Sequence, residues 1–303
     1  NEAERQRVRA EAEAETARQT TRFMVDLFKV SDPSEALGNT ITAREILDKG
    51  AARIDKELAD QPAIQATLMD TMGTVYTSLG LYESAVPLVR KAYERRLQLW
   101  GALNTETASS LNHLGVLLTQ RSDFDEAEKS LREALEIRRK LFGVTSPEVA
   151  ETLTALAELL GEKGEYTQGE PLLKEALQIR RTASGTKPHP DVAQTLELLG
   201  LNYYRRGEYE PAVRYLREAA QMQRRLQPTP HPARAQATDS LAFALMEMGK
   251  PEEAEPLSRL ALAMKRQLYG EDHPSTAMGL NNLAYVLEAR KRYDDAEGAY
   301  RQA

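Results

Sequence analysis

Along most of the chain, apolar residues recur at spacings of three and four, and the same arrangement returns at a fixed interval. A large apolar residue is followed three positions on by another, then by a small residue, then by a further apolar residue three on, and nine later by a second small residue. One unit reads Leu111, Leu114, Gly115, Leu118 and then Ala127, Leu131, Ala134. Those spacings put each set on one helical face, so the unit predicts two helices that each bury a single stripe. The small residues of the first helices are Gly73, Gly115, Ala157, Gly200, Ala242 and Ala284; those of the second are Ala85, Ala127, Gly169, Ala212, Ala254 and Ala296. Successive copies are 42 residues apart, with one step of 43. Units of this length bury their apolar faces against the next copy, which predicts an all-α protein of the α-solenoid class.

Punctuation agrees with the period. Gly80, Gly164, Gly207 and Gly249 fall between paired helices, where a left-handed C-terminal cap suits glycine. Two residues after three of these glycines stand Tyr82, Tyr166 and Tyr209, and Phe124 and Tyr293 hold the matching place in units whose turn lacks the glycine. Between one pair and the next come Gln61-Pro62, Ser146-Pro147, His189-Pro190, His231-Pro232 and His273-Pro274. Proline fits the first helical position, with the preceding residue as cap.

The first fifth departs from the pattern. Asn1 to Val30 reads as one helix, Ser31 to Thr40 as a loop, and Thr42 to Leu58 as a second helix whose Ala43 lies 42 residues before Ala85. With Leu47 and Ile54 on the matching face, that helix is the back half of a degenerate repeat. The expected organisation is a capping segment over 1–60 and six repeats over 61–303, at about 61–103, 104–145, 146–188, 189–230, 231–272 and 273–303, the last truncated. The chain begins at Asn1 and ends inside a periodic segment without a stop signal, so it is expected to be a piece of a longer protein.

Composition narrows the function. With 46 acidic against 40 basic residues the net charge is −6, which argues against nucleic acid as partner. No apolar run is long enough for a membrane span. There is no cysteine, hence no thiolate metal site and no thiol nucleophile. Phosphoryl transfer needs a glycine-rich phosphate loop and positioned Mg²⁺ ligands, and Gly161-Glu162-Lys163-Gly164 is a helix-pair turn. His189, His231 and His273 lie one repeat apart on successive loops, too dispersed to share a metal, and read as caps. No catalytic, cofactor or metal residue is assigned, and the chain is expected neither to bind nor to hydrolyse ATP. Asp125-Glu126, Glu252-Glu253 and Asp294-Asp295 suit the N-terminal ends of second helices, and Arg138-Arg139-Lys140, Arg180-Arg181 and Arg224-Arg225 suit their C-terminal ends as a solvated face.

The recurring apolar, Gly/Ala, aromatic and Ala positions resemble the tetratricopeptide repeat. The 42-residue form, with Leu280-Asn281-Asn282-Leu283-Ala284 and Gly270-Glu271-Asp272-His273-Pro274, is similar to the repeats of kinesin light chains and their bacterial relatives. Phe23 to Ala36, followed by Thr42 to Asp48, resembles the region downstream of the kinase domain in bacterial serine/threonine protein kinases with C-terminal tetratricopeptide arrays. These resemblances imply a right-handed superhelix, a protein or peptide partner in a concave groove, and a role as the sensory or scaffolding arm of such a kinase. Its location is then cytoplasmic, or extracytoplasmic if a membrane span precedes Asn1. The rival reading is a structural spacer or self-association module.

In the family's register the groove is lined by Asp70, Asn112, Thr154, Glu197, Asp239 and Asn281, and by Thr74, Val116, Glu158, Leu201, Phe243 and Tyr285. His113 and Tyr204 stand beside these rows. Acids occupy several of these places and no lysine does, which argues against a clamp for a terminal carboxylate. Asn112 and Asn281 are expected to hold peptide backbone, since an amide both donates and accepts. The apolar side of Leu283, Leu287 and Ala296 is expected to be exposed at the C-terminal end and to mediate self-association.

Overall fold

The computed structural model describes residues 42–303, preceded by Glu4, Arg7, Ala14, Ala17, Arg18, residues 20–23 and Val25. The described positions within Asn1 to Val30 are helical; the rest of that predicted helix and the predicted loop Ser31 to Thr40 lie outside the described residues. Regular structure among the described residues is helical throughout. Helix α1 (Ala43–Glu57) precedes six pairs: α2 (Pro62–Ser78) with α3 (Tyr82–Trp100), α4 (Thr105–Gln120) with α5 (Phe124–Phe142), α6 (Pro147–Glu162) with α7 (Tyr166–Ser184), α8 (Pro190–Arg205) with α9 (Tyr209–Leu226), α10 (Pro232–Glu247) with α11 (Pro251–Tyr269), and α12 (Pro274–Ala289) with α13 (Tyr293–Gln302). They fall into two compact units, Asn1–Val144 and Thr145–Ala303. Each is a short α-solenoid in which first helices pack on their own second helices and each second helix packs on the next first helix.

The small residues set the pairing. A Cβ on Gly115 would lie 2.5 Å from Cγ of Leu131, and one on Gly200 would lie 2.5 Å from Cγ of Leu216. Neither place has room for even a Cβ beside the leucine as it stands, so the helix backbones approach there to a distance that glycine permits. Ala85, Ala127, Ala212 and Ala254 are fully buried on the facing helices. Helix α1 follows the same rule, with Leu47 and Ile54 buried. It starts at a capping box in which the backbone N–H of Glu45 donates to Oγ1 of Thr42, while that of Thr42 donates to Oε2 of Glu45.

The caps follow the sequence reading with two refinements. His189, His231 and His273 accept through Nδ1 from the N–H groups of Asp191, Ala233 and Ser275 at 3.0–3.2 Å, and Ser146 accepts from Val149. Gln61 precedes a proline as they do but makes no side-chain cap bond. In the turns inside pairs, Gly80, Gly164, Gly207 and Gly249 have φ between 70° and 78°, while Ser122 (68°) and Lys291 (60°) adopt the same left-handed conformation in the two pairs that lack the glycine.

Both non-glycine turns are strained, because a Cβ crowds the backbone there. Replacing Ser122 or Lys291 with glycine is expected to raise the unfolding free energy by about 0.5–1 kcal/mol each. Gly200→Val is expected to lower it by about 1–3 kcal/mol through overpacking against Leu216. Urea denaturation of the three variants checks both signs, and a stabilised Gly200→Val would contradict the packing argument.

Candidate functional site

The two predicted groove rows behave differently. In the first unit, Asp70 on α2 is held from two helices: Arg96 of α3 donates to its Oδ2 at 2.8 Å and Nδ1–H of His113 on α4 donates to its Oδ1 at 2.7 Å. Arg96 is 4% exposed and also reaches Ser110. Burial works against the Asp70 carboxylate, but the His113 hydrogen bond and the Arg96 charge outweigh it and hold its pKa below the ordinary 3.8. The second unit repeats the device with other residues. There Lys265 of α11 donates to Oδ2 of Asp239 on α10 at 2.6 Å, and Asn282 of α12 donates to the same oxygen at 2.8 Å. In both clusters the acid sits on a first helix, the base lies 26 residues later on its partner helix, and the second donor lies 43 residues later on the next first helix. Asp70 and Asp239 are thereby spent on joining helices.

Asn112 corrects the sequence reading. It is 4% exposed, and Thr154, its neighbour in the row, is equally buried, so neither presents a side chain to an open groove. The expected solvated basic stripe holds only in part: Arg138 is buried and Arg180 donates to the Asp191 carbonyl and to Thr195, whereas Lys140, Arg224 and Arg225 are exposed and so is Arg181, which meets Glu218. The acidic starts of second helices do more than face a helix dipole. Glu126 pairs with Arg90, and Glu253 with Arg217, each from the preceding second helix. At the C-terminal end, Leu283, Leu287 and Ala296 are covered within their own pair, and the exposed large side chains there are Tyr293 and Tyr300. The apolar end face drawn from the sequence is therefore an aromatic one with hydroxyl groups.

Of the predicted rows Thr74 is exposed in the first unit, while the large open side chains lie on the first helices of the second unit, mainly in the other row. Tyr204, Phe243 and Tyr285 form a ladder across α8, α10 and α12, with ring centroids 5.6 Å and 6.0 Å apart. Tyr209 flanks it at 5.8 Å. Tyr285 is 40% exposed and its hydroxyl donates to Glu247 at 3.3 Å. Burial, with smaller contributions from Glu247 and Tyr209, pushes Tyr204 up to about 12, so these phenols stay neutral donors. Beside the ladder, Glu197 is half-buried and accepts from Oγ of Ser240 at 3.1 Å; desolvation pushes its carboxyl up despite that bond. Asn281 is exposed, and Glu158 is exposed on α6. The predicted Glu158, Glu197, Tyr204, Phe243, Asn281 and Tyr285 thus lie on the first helices of one unit, whereas Asp70, Asn112, His113 and Asp239 are occupied in packing. Arg96 and Lys265 escaped the sequence reading. The 26-residue acid-to-base interval, present twice, was the signal that could have found them.

Among the described residues no cluster of histidines and acids could hold a metal ion, and no helix is long and apolar enough to cross a membrane. Stacked helix pairs with small-residue contacts and an open aromatic row define a helical repeat scaffold. Models of the tetratricopeptide repeat match residues 65–102, 106–182, 152–225 and 234–303, and the chain belongs to that family. No curated protein matches it. Among solved structures it is similar to BtubC (BKLC) from P. vanneervenii, with a TM-score of 0.65, 20% identity, and coverage of 77% of this chain and 95% of that one. It is also similar to the nearly identical TPR-like repeats ascribed to a kinesin light chain of Podosopora anserina, with a TM-score of 0.58, 22% identity, and coverage of 64% and 92%. A Rap protein complexed with Competence and Sporulation Factor gives a TM-score of 0.59 at 14% identity, covering 95% and 96%. At these identities the likeness is one of fold.

Two measurements check the charge clusters. Lys265→Met leaves the buried Asp239 charge without its cation and is expected to cost about 3–5 kcal/mol; Asp239→Asn added to it should restore much of the loss. Because the folded pKa of Asp70 is depressed, its contribution is present above the unfolded value near 3.8 and is lost as pH falls through the folded one. Asp70→Asn should flatten that limb of the stability profile, and an unchanged limb in acid denaturation would sink the assignment.

Proposed function

We propose that this chain holds a protein partner by binding an extended peptide along α8, α10 and α12. The observation that carries this reading is the open Tyr204–Phe243–Tyr285 ladder with Glu197 and Asn281 beside it. Aromatic rings offer large apolar contact at small entropic cost, while the exposed Asn281 amide can pair with peptide backbone of any sequence. The half-buried Glu197 favours neutral or basic peptides over acidic ones. The Rap protein of similar fold forms a complex with Competence and Sporulation Factor, which supports peptide or protein capture by such a scaffold. The wording of residues 23–48 supports the finer reading in which this scaffold is the sensory or recruiting arm of a bacterial serine/threonine kinase. The chain itself acts without catalysis in this reading.

A phage-displayed library of random peptides of roughly twelve residues, long enough to cross three first helices, tests the proposal with the 303-residue chain as bait. Enriched peptides should combine apolar or aromatic residues with basic ones. Phe243→Ala with Tyr285→Ala should weaken their binding by about 2 kcal/mol while leaving the melting temperature nearly unchanged. Since the Glu197 carboxyl is pushed up, affinity for a basic peptide should fall as the pH drops and that charge is lost. An affinity untouched by the double substitution would favour the spacer or self-association reading.

A further inference from the structure

The second unit also carries an open pocket of about 400 Å³ between α6, the start of α7, and α8. Leu173, Leu198 and Leu201 wall it, Glu158 and Glu162 contribute carboxylates from α6, and Asn202 and Arg205 line it from α8. Glu158 and Leu201 belong to the same register row as Phe243 and Tyr285, so the pocket continues the line of the aromatic ladder along the first helices.

The chemistry of the lining decides what can enter. Glu158 forms no ion pair, and its surroundings disfavour its charge: desolvation pushes the carboxyl up, Arg180 pulls it back, and Glu162 adds to the rise. A cation brought close would relieve that condition. Asn202 is 6% exposed, and its Nδ2 donates to the Tyr166 carbonyl at 2.9 Å. That bond fixes the amide, because the flipped form would set two oxygens against each other. Its Oδ1 is turned into the protein, buried without a hydrogen-bond partner and out of reach of a group entering the pocket. Gly169 lets α7 approach this amide, since a Cβ there would come within 3.3 Å of both the Asn202 amide nitrogen and the Ala157 carbonyl oxygen. Of the neighbouring cations, Arg180 already donates to Asp191 and Thr195, and Arg205 is exposed at the edge of the lining.

We propose that this pocket takes the side chain of an arginine from the peptide partner, with the leucines covering the aliphatic stem and the Glu158 carboxylate accepting from the guanidinium. The two oxygens of a carboxylate suit the forked donor set of arginine better than a single point charge does. This assignment rests on the peptide-groove reading for its natural ligand, yet the pocket itself answers to one amino acid. The probe is N-acetyl-arginine methylamide, titrated into the full chain and followed by NMR at the Asn202 side-chain amide and the Glu158 carboxyl carbon. Saturable binding with movement of the Asn202 amide and a fall in the Glu158 pKa is expected. The neutral citrulline analogue and the Glu158→Gln variant should each bind about tenfold less well. Phe243→Ala with Tyr285→Ala should leave this probe unaffected. Absent saturation, equal binding of the citrulline analogue, or indifference to Glu158→Gln overturns the assignment. Should that happen while library peptides still depend on Phe243 and Tyr285, the pocket assignment falls alone; loss of both results removes the groove reading as well.

Discussion

The structure depends on the close approach of paired helices at one small residue on each. Where Gly115 meets Leu131, or Gly200 meets Leu216, a single Cβ would occupy space that a leucine already fills. Because each repeat packs only against its neighbours, that contact fixes the pair and, through it, the place of the next first helix. It also sets the reach of longer side chains. Arg96 and Lys265 meet the acids of their own first helices because the backbones are close enough for a buried long side chain to span the gap.

Those ion pairs decide which acids remain for a partner. A carboxylate drawn between helices must be compensated where it lies, and Asp70 and Asp239 are compensated by a base and a hydrogen-bond donor each. Glu197 has a serine hydroxyl in place of a base, and Glu158 has no ion-pair partner. Their charges are accordingly disfavoured. The same register position thus serves cohesion in one repeat and stays without a base in another, and the difference lies in the residue 26 positions later. Gln223 stands at that place relative to Glu197, where Lys265 stands relative to Asp239.

The second unit therefore combines an aromatic row with carboxylates whose charge is unbalanced. In the proposed reading, aromatic contact supplies affinity without demanding a sequence, whereas a carboxylate beside an apolar pocket discriminates, because a cation balances it and a neutral group does not. A scaffold built from repeats can carry both on adjacent helices, since substitutions on the open face leave the small-residue contacts untouched.

The sequence by itself determined the repeat, the helices, the small-residue contacts, the proline and histidine caps, and the glycine turns, because each follows from local periodicity or from the conformational preference of one residue. It also named the residues of the aromatic ladder. It misplaced Asn112, which is buried, and Leu283, Leu287 and Ala296, which are covered. Positions four apart on a helix differ by only about 40° around its axis, so periodicity cannot separate a row that faces the groove from one drawn into the contact between helices. That choice depends on side chains 26 and 43 residues away, and only the packed structure brings them together.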